Sequence, residues 1–161
     1  MGIIDLTVRV GAPRERVFDL ARSIDAHVAS TPGTDEHPVA KAGGVTRGLM
    51  ALGDRVTWRA RHLGITQELT SRITMFDRPR HFRDSMVEGA FARFDHDHYF
   101  EEDGTNATLV RDVFDFTSPL GPLGRLVDAM FLDRYMRRFI EQRARVLKDL
   151  AEGNDWARFL E

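Results

Sequence analysis

The sequence predicts an α+β domain in which a curved antiparallel sheet of about seven strands wraps around a long C-terminal helix, with two short helices between strands 1 and 2. Two patterns predict this fold. Apolar and polar residues alternate in residues 3–10 and in several runs across residues 54–117, which is the period of half-buried strands. From about residue 122 to residue 151 the apolar residues instead follow a helical period.

The chain of 161 residues has the length of one domain with one core. We expect the domain to span residues 1–152 and a tail to cover residues 153–161. No segment approaches the roughly 20 apolar residues that a membrane-spanning helix needs, and the first residues lack a signal-peptide pattern. We therefore expect a cytoplasmic protein without an integral membrane segment. A monomer and a homodimer both fit the sequence.

The composition excludes several classes of function. The chain has no cysteine, which excludes a thiolate nucleophile and a cysteine-ligated metal. Its formal net charge is -2, and its arginines are scattered except for a cluster in residues 134–145 that acidic residues interrupt, so no concentrated basic face is available for nucleic acid. We therefore expect no nucleic-acid partner, and any chemistry must use His, Asp, Glu, Tyr, Ser or Arg side chains.

The first 41 residues predict a strand, two short helices and a second strand. The first strand ends at a Gly-Ala-Pro sequence, and Pro13 suits the first position of a helix because its missing N–H would have no partner there. Asp25 is a candidate cap for the second helix. A weak pattern over residues 36–41 predicts the second strand.

Turn signals predict which residues of the later strands face each other. A two-residue turn at residues 63–64 places Trp58 opposite Leu69 and Arg59 opposite Glu68, which pairs apolar with apolar and positive with negative side chains.

Two further turns, at residues 77–80 and 103–105, predict a polar cluster on the inner face. The second turn places His96 opposite Asp112, and the first places Asp84 on the strand at the other side of His96. The first turn also predicts that one face is shared by Ser71, Ile73 and Met75 with Phe82, Asp84 and Met86.

The segments that carry a family resemblance are spread over residues 1–152: Ala12–Phe18, Trp58–His62, Leu69–Ile73, Asp77–Pro79, Phe94–Glu101 and Ser118–Gly124. In this order they resemble the SRPBCC superfamily of START-like, helix-grip proteins. Within it they are most similar to the polyketide cyclase/dehydrase and lipid transport group. The resemblance implies the helix-grip fold and an internal pocket for a small hydrophobic ligand. It assigns no catalytic motif and no cofactor to particular residues.

Apolar and aromatic side chains on the predicted inner faces are candidates for the wall of such a pocket. Ligand sites usually combine these side chains with a few polar groups that orient the ligand. A core filled by the same side chains is the alternative interpretation. The candidate ligand-binding residues are Trp58, Gln67, Ser71, Met75, Phe82, Met86, Phe94, His98, Phe114, Met130 and Tyr135.

His96, Asp112 and Asp84 are the candidate catalytic residues. A carboxylate beside an imidazole raises its pKa and prepares it to remove a proton next to a carbonyl. The alternative is a buried polar network that only satisfies its own hydrogen bonds. We expect the two carboxylates to outweigh burial and to raise the pKa of His96, whereas His27 and His81 should lie near the surface.

His96 and His98 also lie on one strand face, where a histidine pair can ligate zinc with Asp112 as a third ligand. We favour two hydrogen-bonded pocket histidines, and so expect no metal and no cofactor. Three functions follow in order of preference: binding of a small hydrophobic ligand, lipid-like or aromatic; a polyketide cyclase or dehydratase with His96 as general base; and a protein-interaction module with a vestigial pocket.

Overall fold

The computed structural model describes residues 2–31, 33–62, 64–118 and 121–161, with only the helical backbone described for residues 121–130. These residues form seven strands, three α-helices and a short 3₁₀ turn. In chain order the elements are β1 (Gly2–Val10), α1 (Arg14–Ala21), α2 (Ile24–Ala29), β2 (His37–Val39), β3 (Arg55–His62), β4 (Ile65–Asp77), β5 (His81–Glu88), β6 (Arg93–Glu102), β7 (Thr108–Thr117), α3 (Gly121–Glu152) and the 3₁₀ turn (Trp156–Phe159).

One antiparallel sheet contains all seven described strands in the order β1-β7-β6-β5-β4-β3-β2. Strands β2 to β7 follow each other as a meander. Strand β1 pairs with β7 and forms one edge of the sheet, and β2 forms the other. The predicted fold class is confirmed, including two short helices between β1 and β2 and one long C-terminal helix. In the described part of the chain, no helix is long and apolar enough to cross a membrane.

The cap of α2 differs from the prediction. Ser23, and not Asp25, is the N-cap, and its Oγ accepts a hydrogen bond from the backbone N–H of Ala26 at 3.1 Å. The same hydroxyl donates to the carbonyl of Phe159 at 2.6 Å. The tail is therefore docked on the start of α2. Asp25 lies in the first turn of the helix, where its carboxylate accepts from the N–H of Gly48.

The β3–β4 hairpin has the predicted register. Trp58 faces Leu69, and Arg59 faces Glu68 with a hydrogen bond of 2.6 Å between their charged groups. The hairpin loop needs a residue that tolerates a positive φ, and Gly64 supplies it with φ 81°.

The prediction for Met75 is wrong because of an irregularity in β4. Ser71 faces Met86 and Ile73 faces Asp84, but the register then shifts, so that Met75 faces Arg83. An extra residue in one strand moves the following side chain to the opposite face of the sheet. Met75 is consequently 48% exposed on the outer face.

The β6–β7 register is also wrong, by two residues. His98 and not His96 faces Asp112, and His96 faces Phe114. The loop spans the five residues 103–107 instead of three, and the N–H of Asp103 bonds the carbonyl of Ala107 across it. Because the side-chain period of a strand is two, a shift of two keeps every side chain on its predicted face.

The buried apolar residues form two cores under the sheet. The first lies under α1, where Phe82 packs edge-to-face on Phe18 at 5.4 Å. The second contains Phe114 and joins β1, β6 and β7 to α3. His98 stacks on Phe82 and His96 packs edge-on against Phe114, so the two imidazoles lie where the cores meet.

Candidate ligand-binding site

A cavity of about 270 Å³ lies between the inner face of the sheet and α3. Strands β3 to β7 supply one wall, α3 supplies the other, and α2 with the residue before β2 closes one end. Most of the wall is apolar or aromatic. The polar groups in it come from His27, Glu36, His62, Gln67, Glu68, Ser71, Asp84, His96, Ser118, Tyr135 and Arg143.

The cavity brings together six of the candidate ligand-binding residues and two of the candidate catalytic residues. Its wall includes the catalytic candidates Asp84 and His96. The ligand-binding candidates in the wall are Trp58, Gln67, Ser71, Phe94, Phe114 and Tyr135.

The other candidates lie elsewhere. Phe82 is buried in the first core, Met86 packs against the second core, and Met75 faces outward. His98 and Asp112 line a separate, smaller cavity of about 30 Å³. Met130 lies outside the described side chains.

Three buried side chains, His96, His98 and Asp112, form a polar cluster with the partly buried Asp84 between the two cavities. His98 occupies its centre. Its Nδ1 lies 2.6 Å from Asp112 Oδ1, and its Nε2 donates to Asp84 Oδ1 at 3.1 Å. Both ring nitrogens of His98 therefore face a carboxylate.

This arrangement decides the charge of His98. Burial by itself would lower its pKa, but the charge and hydrogen bonding of Asp112 and Asp84 outweigh burial and raise the pKa to about 9. The pKa values of Asp84 and Asp112 are lowered in return, because contacts with the imidazoles outweigh the opposing effect of burial. At pH 7 the cluster therefore contains an imidazolium between two carboxylates.

His96 has the opposite character, and its predicted rise in pKa is wrong. Burial lowers its pKa, and the positive charge of His98 lowers it further, with ring centroids 3.9 Å apart. Asp84, 3.9 Å from Nδ1, and Asp112, 3.3 Å from Nε2, act to raise this pKa but do not outweigh burial and the charge of His98. The Asp112 oxygen is poorly aligned with Nε2, which has no hydrogen-bond partner among the described residues. His96 is thus a neutral imidazole in the wall of both cavities.

A second polar group, which the sequence analysis missed, lies across the cavity. Arg143 Nη2 donates to His27 Nδ1 at 2.7 Å, and His27 Nε2 donates to Glu36 Oε1 at 2.6 Å. The His27 ring also stacks on Trp58, with centroids 3.9 Å apart and planes 18° apart. His27 was expected near the surface, but burial and the charge of Arg143 lower its pKa.

One signal in the sequence could have indicated Arg143. The stripe of α3 that faces the interior contains Met136, Ile140 and Ala144, and Arg143 lies beside it, four residues after Phe139. Residues three and four apart share a helix face. Arg143 was not among the predicted site residues, because it belongs to the arginine cluster of residues 134–145.

His62 and Tyr135 form a third polar contact at the cavity wall. His62 Nδ1 and the Tyr135 hydroxyl are hydrogen-bonded at 2.6 Å. Burial lowers the pKa of His62 and raises the pKa of Tyr135, so both are neutral at pH 7. The pair presents a neutral polar group beside the ring of Phe139.

The histidine pair also has the spacing of a metal site. Asp84, His96 and His98 each place a potential ligand atom within 4.8 Å of the other two. Asp112, the predicted third ligand, is not in this group. Both nitrogens of His98 already face carboxylates, so the observed geometry is that of an ion-pair cluster. The expectation of no metal stays a prediction.

Comparison with solved structures found the same fold in proteins of low sequence identity. A protein from Thermus thermophilus has a TM-score of 0.74 at 18% identity, over 92% of this chain and 95% of its own. The Zhui aromatase/cyclase from Streptomyces sp. R1128 has a TM-score of 0.74 at 15% identity, over 94% and 93%. A START superfamily protein from Mycobacterium smegmatis has a TM-score of 0.70 at 14% identity, over 93% and 97%. A comparison with curated proteins found no match.

The seven-stranded sheet, the long C-terminal helix and these similarities define a helix-grip protein of the START/SRPBCC type. The chain belongs to the polyketide cyclase/dehydrase and lipid transport family, whose model matches residues 1–152. The family resemblance predicted from the sequence is confirmed. The boundary between a domain of residues 1–152 and a tail stays a prediction.

Proposed function

We propose that this protein binds a small hydrophobic molecule, lipid-like or aromatic, in the cavity between the sheet and α3. The observation that carries the proposal is the cavity itself, about 270 Å³ in volume. This volume is near the lower end of the roughly 300–1,000 Å³ that is usual for small-molecule sites. Most of the wall surface is apolar, as is usual for such sites, and the polar groups in it could orient a ligand. The proposal includes three predictions from the sequence: the protein is cytoplasmic, it is a monomer or a homodimer, and it does not bind nucleic acid.

Two measurements test the proposal: native mass spectrometry of the protein as isolated, and titration with the neutral fluorescent probe N-phenyl-1-naphthylamine. Ala60→Phe would fill part of the cavity, because Ala60 is buried in its wall. We expect this variant to lose most of the probe binding. The control is Ala51→Phe at an exposed position outside the cavity. Absence of a co-purifying molecule together with absence of probe binding would overturn the proposal, and capture of a protein partner would then favour an interaction module.

A second candidate function is acid–base catalysis on the bound molecule, as in a cyclase or dehydratase. The observation that favours it is the neutral imidazole of His96 in the cavity wall. A neutral imidazole can accept a proton; Asp84 and Asp112 favour the resulting positive charge, and the neighbouring His98 imidazolium opposes it.

In this reaction a proton moves from a carbon next to a carbonyl to His96, and that carbon forms a C–C bond with a second carbonyl carbon. The π electrons of that second carbonyl move to its oxygen, and His96 returns the proton to the resulting alkoxide, which becomes a hydroxyl group. Dehydration then repeats the abstraction at the same carbon, and the hydroxyl leaves with the returned proton as water.

The variant His96→Ala separates the two functions. A general base contributes about 10²- to 10⁴-fold to a rate, so turnover of a poly-β-ketone thioester should fall by that factor while its binding changes only a few-fold. His81→Ala is the matched control, because His81 pairs with Asp97 outside both cavities. A protein that only carries its ligand would turn over no substrate in either form.

A further inference from the structure

We propose that Arg143 is the anchor for an acidic group of the ligand, so that the bound molecule is a hydrophobic carboxylate or a related oxyanion. This inference rests on the proposed ligand-binding function and specifies its chemical class. It starts from the position of Arg143, which lines the large cavity and the small one behind it. The cavity thus holds a strongly basic group among apolar and aromatic side chains.

The charges in the cavity wall single out Arg143. Three carboxylates also line the large cavity, and each is hydrogen-bonded or ion-paired to a side chain other than Arg143, the partner of Glu36 being the neutral His27. Glu36 pairs with His27, Asp84 with His98, and Glu68 with Arg59 and Lys41. Within the described ranges of the chain, no carboxylate lies within 4 Å of Arg143. The charges of Glu36 and Asp84 act on Arg143 only at longer range, so a direct ion pair with its guanidinium is left for a ligand to make.

The guanidinium is also held in place before any ligand arrives. His27 accepts one hydrogen bond from Arg143, and Glu36 and Trp58 hold the His27 ring by a hydrogen bond and by stacking. The lowered pKa of His27 keeps its Nδ1 an acceptor at pH 7. Because a guanidinium carries five N–H donors, Arg143 keeps donors for two oxygens of a carboxylate. A group fixed in this way loses little entropy on binding.

The apolar surroundings strengthen this interaction. Phe139, Ile140 and Ala144 lie on the same helix as Arg143, and the Arg143 Cζ is 6.0 Å from the centre of the Phe139 ring. A charge pair in such a wall is screened less than one in water. The apolar part of the ligand would occupy the aromatic side of the cavity while its acidic group contacts Arg143.

Three probes with one skeleton and different charges test the inference: 2-naphthoate, 2-naphthalenemethanol and 2-naphthalenemethylamine. Calorimetry on the full chain at pH 7 should give the tightest binding for the carboxylate. A hydrogen bond between charged groups is equivalent to about a 10- to 100-fold change in affinity. Arg143→Met should remove that advantage and leave the affinity for the alcohol unchanged, which shows that the variant is folded.

Arg145→Met is the matched control, because Arg145 lies two residues further along α3 with 76% of its side chain exposed. It should bind all three probes like the wild type. A carboxylate that binds no tighter than the alcohol, an advantage that survives in Arg143→Met, or tightest binding of the amine would each overturn the inference. Binding of the alcohol alone would overturn it and leave the proposed function standing. Binding of none of the three probes would also overturn it, and the proposed function would fall only if binding of N-phenyl-1-naphthylamine and a co-purifying molecule were absent as well.

Discussion

His98 and Asp112 face each other across the β6–β7 ladder, and Nδ1 of the imidazole lies 2.6 Å from Oδ1 of the carboxylate. Both side chains are about nine-tenths buried. Removing one member of a buried ion pair leaves the other charge without its partner in a medium that solvates it poorly. This contact therefore links the charge state of the cluster to the stability of the fold.

We expect Asp112→Asn to lower the free energy of unfolding by about 3–5 kcal/mol, because it leaves the His98 imidazolium with only one carboxylate. Urea denaturation at pH 7 measures the change. Asp5→Asn is the control: Asp5 pairs with Arg111 in the same sheet, but that pair is exposed and should contribute far less. Equal losses in the two variants would contradict the assigned charge of His98.

The imidazoles should separate clearly in an NMR titration of the ligand-free protein. We expect His98 to titrate at about pH 9, because two carboxylates face its ring. His27, His62 and His96 should titrate below the ordinary value of about 6.5, since burial opposes their protonation. A pKa for His96 above that of His98 would reverse the assignment.

The same shifts predict how stability depends on pH. The folded-state pKa of His98 is raised, so its contribution is fully present below the unfolded value of about 6.5 and is lost as the pH rises through about 9. The pKa values of His27, His62 and His96 are lowered, so they destabilise the fold as the pH falls below about 6.5. Urea denaturation from pH 5 to 10 should find maximal stability near neutral pH. The loss on the alkaline side should be much smaller in Asp112→Asn, and an unchanged loss would argue against His98 as its source.

Two residues that were predicted to share one face of the sheet should respond very differently to truncation. Phe82→Ala should cost about 3–5 kcal/mol, because it opens a cavity beside Phe18 and His98. Met75→Ala should change stability by less than about 0.5 kcal/mol, because the register shift in β4 leaves Met75 exposed. Thermal unfolding of both variants measures the contrast. Similar losses would place Met75 inside and contradict the shift.

The sequence by itself determined the fold class and most of the strand order. Alternation of apolar and polar residues is a local property of each strand, and the short turn at Gly64 allowed the β3–β4 register to be counted from the loop. Six candidate ligand-binding residues, among them Trp58 and Phe114, lie in the cavity wall, and the same alternation predicted that their side chains share the inner face.

The tertiary structure decided the features that depend on distance. A loop of three residues after β6 and a loop of five residues both leave His96 and His98 on the same face of the sheet. Only the folded chain shows that His98, and not His96, pairs with Asp112. The charges of the two imidazoles depend in part on their distances from the same Asp112 oxygen. His98 lies 2.6 Å from it and His96 lies 3.3 Å from it, a difference of less than 1 Å. His27 and Arg143 are 116 residues apart in the sequence and meet only because α2 packs on α3. No local pattern predicts such a contact. The period of the apolar residues predicts which face of a helix or strand is buried, but not how far that element lies from another one.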